Sequence, residues 1–293
     1  MKYRIIHKTA YRYSEPASLS QNELLLWPRD TSFQRVVQNR LEILPEPQYT
    51  SSRTDFFGNR VQVFMVQHAH TELTMTATSL VETLPRSDPT PSQTPHWENV
   101  AFILSRHSQP EEMDALQFVF ASPMVTAGLK IHEYARASFP SGRPVLEGAI
   151  DLMGRIFTDF TYDKSSTTVG TGIDQVLAER KGVCQDFAHL AIGCLRSLGL
   201  AARYVSGYLE TLPPPGKPRL VGADASHAWI SLFVPGAGWV DLDPTNNLIP
   251  TEGHITLSWG RDYGDVTPVK GVVMGGGVHT LSVKVDVAPQ KNF

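Results

Sequence analysis

Of the two cysteines in this sequence, one sits where a thiol can react. Cys184 lies in Gly182-Val183-Cys184-Gln185-Asp186-Phe187-Ala188, a glycine turn running into an apolar helix. At a helix start the unpaired N–H groups and the positive end of the dipole favour negative charge on sulfur. Phe187, Ala188, Ala191, Cys194, Leu195 and Leu198 recur at three- and four-residue steps on the face that also carries Cys184, and Gly199 supplies the stop. Cys194 shares that face but lies deep in the helix, as a small buried hydrophobe would.

A cysteine nucleophile needs a base within hydrogen-bond reach, and the base needs a third group to fix its tautomer. His227 lies in the strand pattern Ser226-His227-Ala228-Trp229-Ile230-Ser231-Leu232, and two carboxylates follow in Trp239-Val240-Asp241-Leu242-Asp243-Pro244-Thr245. Side chains alternate faces along a strand. If Phe233 pairs with Trp239 around the Pro235-Gly236-Ala237-Gly238 turn, Asp243 stands opposite Trp229 and diagonal to His227, close enough for adjusted side chains or a bulge to bring them together. Asp241 would stand one pair further away. Asp243 is the better orienter.

The surrounding chain must position these groups. At 293 residues it is long enough for two folded units, and its 41% hydrophobic and 19% charged content is ordinary for a globular protein. A net charge of -3 offers no basic field for nucleic acid or an anionic membrane. Two cysteines build neither a disulfide framework nor a four-cysteine zinc site, and His68 and His70 lack metal-site spacing. No metal or other cofactor is expected. No signal-peptide run opens the sequence and no stretch is long enough to span a bilayer, so a soluble, cytoplasmic protein is expected.

Residues 1 to about 84 read as short strands, with a hairpin turn at Phe57-Gly58-Asn59-Arg60. Pro85 to Pro95 has the composition of an extended linker. This divides the chain into a β-rich domain over residues 1–88 and a second domain over 96–293. Helices are expected from Pro110, over Val125 to Ala137, along the stripe Leu146, Ala149, Ile150, Met153, Phe157 and Phe160, and over Ile173 to Arg180. Strand pattern returns from Ala202 to Leu209, before a Pro213-Pro214-Pro215-Gly216 loop. Gly275-Gly276-Gly277 reads as a flexible loop. Leu281, Val283, Val285 and Val287 then alternate strictly, and this last strand, about 279–287, is suited to complete the N-terminal sheet. The fold class is α+β.

Gly182-Val183-Cys184-Gln185-Asp186-Phe187-Ala188-His189, then His227-Ala228-Trp229, then Asp243-Pro244-Thr245-Asn246 together resemble the core of the transglutaminase-like superfamily. More narrowly, they resemble bacterial transglutaminase-like proteins described as candidate cysteine proteases. The resemblance implies an N-terminal antiparallel β domain followed by a papain-like core of helices and antiparallel sheet. It also implies Cys184 as nucleophile, His227 as base and then acid, and Asp243 as orienter.

The implied function is acyl transfer at an amide bond of a peptide or protein substrate, with hydrolysis preferred over transglutaminase-type transfer to an amine. Two alternatives are a non-catalytic binding or assembly module that retains the fold, and an N-acyltransferase using a thioester donor. Oligomeric state is left open. The backbone N–H of Cys184 is one natural oxyanion donor. Animal transglutaminases use a tryptophan upstream of the cysteine as the other, and Tyr162 is the candidate substitute here. Gln185 follows the cysteine, so it does not take the part of the oxyanion glutamine of papain-like proteases. Gln185, Tyr208 and Trp229 are nevertheless candidates to line or frame the cleft. Asp186 is read as compensating the helix dipole and His189 as a packed polar contact.

Overall fold

A computed structural model describes residues 1–106, 108–126, 128–210 and 226–290 of the chain. The first sheet is antiparallel and contains β1 (Lys2–Leu24), β2 (Gln34–Leu44), β3 (Tyr49–Thr54), β4 (Arg60–Val66) and β5 (His70–Thr83). β1 is its spine. β5 and then β4 pair with successive halves of β1, and the last two strands of the chain do likewise.

The pairing breaks midway along β1, between Arg12 and Ala17 against one neighbour and between Ala17 and Leu19 against the other. Before the break Tyr3, Ile5, His7 and Thr9 are buried; after it Ser20, Asn22 and Leu24 are. An inserted residue exchanges the faces of a strand, so the bulge moves the buried set from odd to even positions. Gly275, Gly276 and Gly277 lie opposite this break with φ of 79°, 84° and 58°, a run that side chains would resist. The glycines form a kink in register, closed by Ser14 N–H donating to Val278 O (2.8 Å) and Val278 N–H donating to Ser14 Oγ (2.9 Å).

Four helices follow, α1 (Trp97–Arg106), α2 (Pro110–Leu116), α3 (Leu129–Arg136) and α4 (Val145–Asp159). α1 was not expected; it buries Val100 and Leu104 while Phe102 faces out. α3 is shorter than the predicted helix because Gly128 forms its N-cap. Next come β6 (Thr161–Tyr162), α5 (Ile173–Glu179), β7 (Lys181–Gly182) and α6 (Cys184–Ser197). A second antiparallel sheet contains β8 (Ala202–Leu209), β9 (Ser226–Val234), β10 (Gly238–Leu242) and β11 (His254–Gly260), in the order β10-β9-β8-β11. The short α7 (Tyr263–Val266) leads to β12 (Val269–Gly275) and β13 (His279–Pro289), which return to β1. The Pro213–Gly216 loop lies outside the described residues. Among those residues no helix is long and apolar enough to cross a membrane.

α6 is the centre of the helical unit. A one-sided apolar stripe was expected, but Leu190 and Ile192 are buried as well as Phe187, Ala191, Cys194 and Leu195. The helix packs on β8 and β9 on one side and on α3, α4 and α5 on another, so little of its surface meets water.

The second sheet also joins the N-terminal core, where Tyr208, Ile255 and Leu257 pack with Tyr3, Ile5 and Val287. The segment from Pro85 to Pro95 is not a free spacer. Arg86 is buried, lies over the Phe33 ring and donates to Asp241 Oδ2 at 2.7 Å. Nearby, the Arg203 guanidinium lies between Trp239 and Trp259, and Arg29 also lies over Trp259. Burial pulls Arg203 down to about 9, with the Asp241 carboxylate opposing the shift.

Candidate active site

Gly182 and Asp186 build the start of α6. The Asp186 carboxylate turns back to accept the Val183 N–H (2.8 Å) and the Thr167 hydroxyl (2.6 Å). This satisfies one of the donors that a helix start leaves free. A Cβ on Gly182 would lie 2.8 Å from the Asp186 Cβ, so the glycine gives the carboxylate its room. Asp186 is buried; burial raises its pKa, against the hydrogen bonds from Thr167 and Val183. It therefore does more than offset the helix dipole, since it ties down the turn that precedes Cys184.

Cys184 opens α6 partly exposed, whereas Cys194 is fully buried. The Cys194 thiol donates to the Ile131 carbonyl at 3.8 Å, and burial pushes its pKa up to about 12. The two thiols are chemically distinct.

His227 is the second residue of β9, and Trp239 pairs with Phe233 across the β9–β10 hairpin. His227 Nε2 lies 2.7 Å from Asp243 Oδ2. A carboxylate can only accept, so Nε2 carries the hydrogen, and Nδ1 is the nitrogen left to serve the thiol. Cys184 lines the same pocket as this imidazole and is one of the groups that favour its protonated form. Burial lowers the His227 pKa, but the hydrogen bonds and charges of Asp243 and Cys184 outweigh it and raise the group to about 10. Burial also raises the Asp243 pKa, but His227 and His254 outweigh that effect and hold its carboxyl well below the usual carboxylate range.

Asp243 is fixed by its own local sequence. Oδ1 accepts the backbone N–H groups of Thr245 (3.0 Å) and Asn246 (3.2 Å) in an Asx turn across Pro244. Asp243 and Leu248 close the loop through a two-way backbone bridge. Asp241, by contrast, is turned to Arg86 and to the Trp229 indole N–H (3.1 Å).

A pocket of about 310 Å³ at Cys184 is lined by Tyr162, Leu209, Ser226, His227, Thr245 and Asn246. Tyr162 is brought there by the parallel pairing of Thr161 with Lys181 and Tyr162 with Gly182, two residues before the cysteine. Burial raises the phenol pKa, as do the charges of Cys184 and Asp186, so the O–H remains a donor.

Three expected cleft residues lie elsewhere. Tyr208 is buried, with its hydroxyl on His7 Nδ1 (3.0 Å) in the N-terminal core, because β8 crosses between the two cores. Trp229 is fully buried, because its strand face is covered and its N–H is committed to Asp241. Gln185 donates to the Val169 carbonyl at 3.3 Å and is absent from the pocket lining, because its place on the helix turns it to the neighbouring loop. His189 is buried on α6; Nε2 accepts the Tyr263 N–H (3.1 Å), and burial lowers its pKa to about 4.

Two neighbours of Asp243 escaped the sequence reading. Asn246 Nδ2 donates to Asp243 Oδ2 at 2.7 Å, and the Asp-Pro-Thr-Asn spacing could have signalled it. His254 Nε2 lies 3.1 Å from the same oxygen, and nothing in its local sequence marks it. The ligating atoms of His227, Asp243 and His254 lie within 4.8 Å of one another, a set that could hold a metal ion. Hydrogen bonds account for the arrangement, since both rings face the shared Oδ2.

Comparison with known proteins gives consistent matches. Residues 3–82 match the model of the bacterial transglutaminase-like N-terminal region, and residues 133–244 that of the transglutaminase-like superfamily. An uncharacterized protein of Mycobacterium tuberculosis is 42% identical over 298 residues, covering 98% of this chain and 93% of that protein. A protein-glutamine gamma-glutamyltransferase of Pseudomonas aeruginosa is 36% identical over 94 residues, covering 31% of this chain and 14% of the enzyme. The crystal structure of a candidate cysteine protease from Cytophaga hutchinsonii superposes with a TM-score of 0.77 at 21% identity. That superposition covers 100% of this chain and 92% of the other and establishes the shared fold.

Proposed function

The chain belongs to the transglutaminase-like superfamily, and from that premise we propose that it uses Cys184 to transfer an acyl group from an amide bond, with water as the preferred acceptor. The observation that carries the reading is the convergence of three side chains from separate elements. The thiol from α6 shares a pocket with an imidazole from β9, which is held at 2.7 Å by a carboxylate at the exit of β10.

The chemistry follows from the donor and acceptor roles. His227 Nδ1 takes the thiol proton while Nε2–H stays on Asp243. Sulfur then attacks the amide carbonyl, forming a C–S bond and placing negative charge on oxygen. The Cys184 backbone N–H, at the start of α6, and the Tyr162 hydroxyl, on a residue that lines the pocket, are the donors we assign to that charge. The imidazolium gives its proton to the departing nitrogen as the C–N bond breaks. Water, deprotonated by the same imidazole, attacks the thioester, releases the acid and returns the thiol. Tyr162 is 48% exposed, which supports access of water to this step.

The test is to incubate the chain with a mixture of peptide amides, quench with acid and weigh the protein. An acyl adduct on the Cys184 peptide, absent in Cys184→Ala, is expected. Adducts that form equally without Cys184 would overturn the proposal. Release of free acid without added amine, rather than an amine conjugate, identifies water as the acceptor.

A further inference from the structure

We propose that His254 is a positioning residue for the Cys184–His227–Asp243 set, extending it to a fourth member that anchors the orienting carboxylate to β11. The inference rests on the reading of those three residues as the working site.

Asp243 is held from two sides. The backbone N–H groups of Thr245 and Asn246 fix Oδ1, which sets the position of the carboxylate carbon but leaves rotation about the last torsion. That torsion is set by what faces Oδ2. Three side-chain nitrogens do so, His227 Nε2 at 2.7 Å, Asn246 Nδ2 at 2.7 Å and His254 Nε2 at 3.1 Å. Asn246 belongs to the same turn as Asp243 and moves with it, and His227 is the group to be oriented. His254 is the one of the three that ties Oδ2 to an element other than its own turn and the strand being oriented.

The surroundings of His254 are built for that single contact. The residue is 3% exposed, and its ring stands edge-on to Trp229 at 5.3 Å and 6.0 Å from the His227 ring. Nδ1 is buried without a hydrogen-bond partner. An orphaned buried nitrogen is costly, and phenylalanine or leucine would fill the site without it. What the imidazole provides in return is the Nε2 hydrogen on Asp243. The following residues of its strand, Ile255 and Leu257, are packed in the N-terminal core. His254 thus ties the orienting carboxylate to the N-terminal half of the molecule.

The experiment uses the full chain and measures iodoacetamide labelling of the Cys184 and Cys194 peptides across pH, with near-UV circular dichroism to report the fold. His254→Phe removes the donor and keeps the volume; His254→Gln places an amide N–H near the position of Nε2. The expected result is an about tenfold to hundredfold loss of Cys184 labelling in His254→Phe, with a shifted pH profile, and rescue by His254→Gln. This is the range that a displacement of about 1 Å costs a positioned group. If the phenylalanine variant does not fold, His254→Asn, whose shortened amide cannot span to Oδ2, replaces it with the same expectation. A folded variant that lacks the donor and keeps the unaltered rate and profile overturns the proposal. Failure of the underlying reading has a different signature, since Cys184 in the unaltered chain would then label as slowly as Cys194 and ignore His227→Ala; that result overturns both.

Discussion

Asp241 and Asp243 stand two residues apart at the end of one hairpin, yet only Asp243 reaches His227. The partners of Asp241 are Arg86 at 2.7 Å and the Trp229 indole at 3.1 Å, while Asp243 lies 2.7 Å from the imidazole. Two like residues, one in β10 and one just past its end, are thereby divided into a packing role and a site role.

Substitution should separate the two roles. Asp243→Asn replaces an acceptor with an amide that cannot hold the Nε2–H tautomer, and turnover of a peptide amide should fall by about 10³- to 10⁴-fold, the scale for a lost orienting carboxylate. Asp241→Ala leaves Arg86 buried and unpaired and should cost roughly 3–5 kcal/mol of stability. Its Cys184 labelling should stay within about twofold of the unaltered chain wherever it is folded. Urea denaturation and labelling kinetics on both variants check this, and a reversed pattern would assign the roles the other way.

Cys184 and Cys194 should differ sharply as thiols. The buried Cys194, with its pKa pushed up to about 12, presents almost no thiolate at neutral pH, so labelling at pH 7 should fall on Cys184. His227→Ala should slow Cys184 and leave Cys194 unchanged, as peptide mass spectrometry would show.

The alkaline limb of turnover should report His227. The imidazolium must protonate the leaving nitrogen, and Asp243 and Cys184 keep that proton bound up to about pH 10. Activity should therefore decline near pH 10 rather than near 6.5. Asp243→Asn removes a charge that raises the pKa, so its residual activity should decline at lower pH.

Acid should destabilise the fold through two buried histidines. Burial holds both His7 and His189 at about 4, below the ordinary 6.5. Between these values the unfolded chain takes up protons that the folded chain refuses, so stability present above pH 6.5 is lost as the pH falls towards 4. At pH 5 the loss is about 2 kcal/mol for each histidine. His227 acts in the opposite sense: its raised pKa contributes stability below 6.5 that is lost as the pH rises through 10. Urea midpoints measured from pH 5 to pH 9 should peak near 6.5, and His189→Gln should flatten the acid side.

Gly182→Ala tests the turn before the cysteine. The new Cβ would sit 2.8 Å from the Asp186 Cβ and 2.9 Å from its carboxylate oxygen. Relief requires Asp186 to let go of Val183, at a cost of about 1–3 kcal/mol. Slower Cys184 labelling should accompany the lower melting temperature. Unchanged values of both would show that the turn tolerates a side chain.

The local sequence of each segment determined much of this. Glycine, cysteine and aspartate at fixed spacing specify a capped helix start, because those contacts lie within one turn. Asp-Pro-Thr-Asn specifies an Asx turn for the same reason. The pairing of Trp239 with Phe233 follows from a hairpin whose register the Pro-Gly-Ala-Gly turn constrains. Tertiary structure decided what depends on distant partners. Tyr208 and Trp229 look like cleft residues on their own strands, but packing against the N-terminal sheet and Asp241 buries them. Arg86, in a stretch with the composition of a spacer, is buried because an acceptor waits on β10. His254 carries no periodic or motif signal, since the carboxylate it holds lies across a loop and its strand is packed by residues of the N-terminal core. Residues within a turn of one another fix their geometry through the backbone they share, whereas residues brought together by packing have theirs fixed by the rest of the fold.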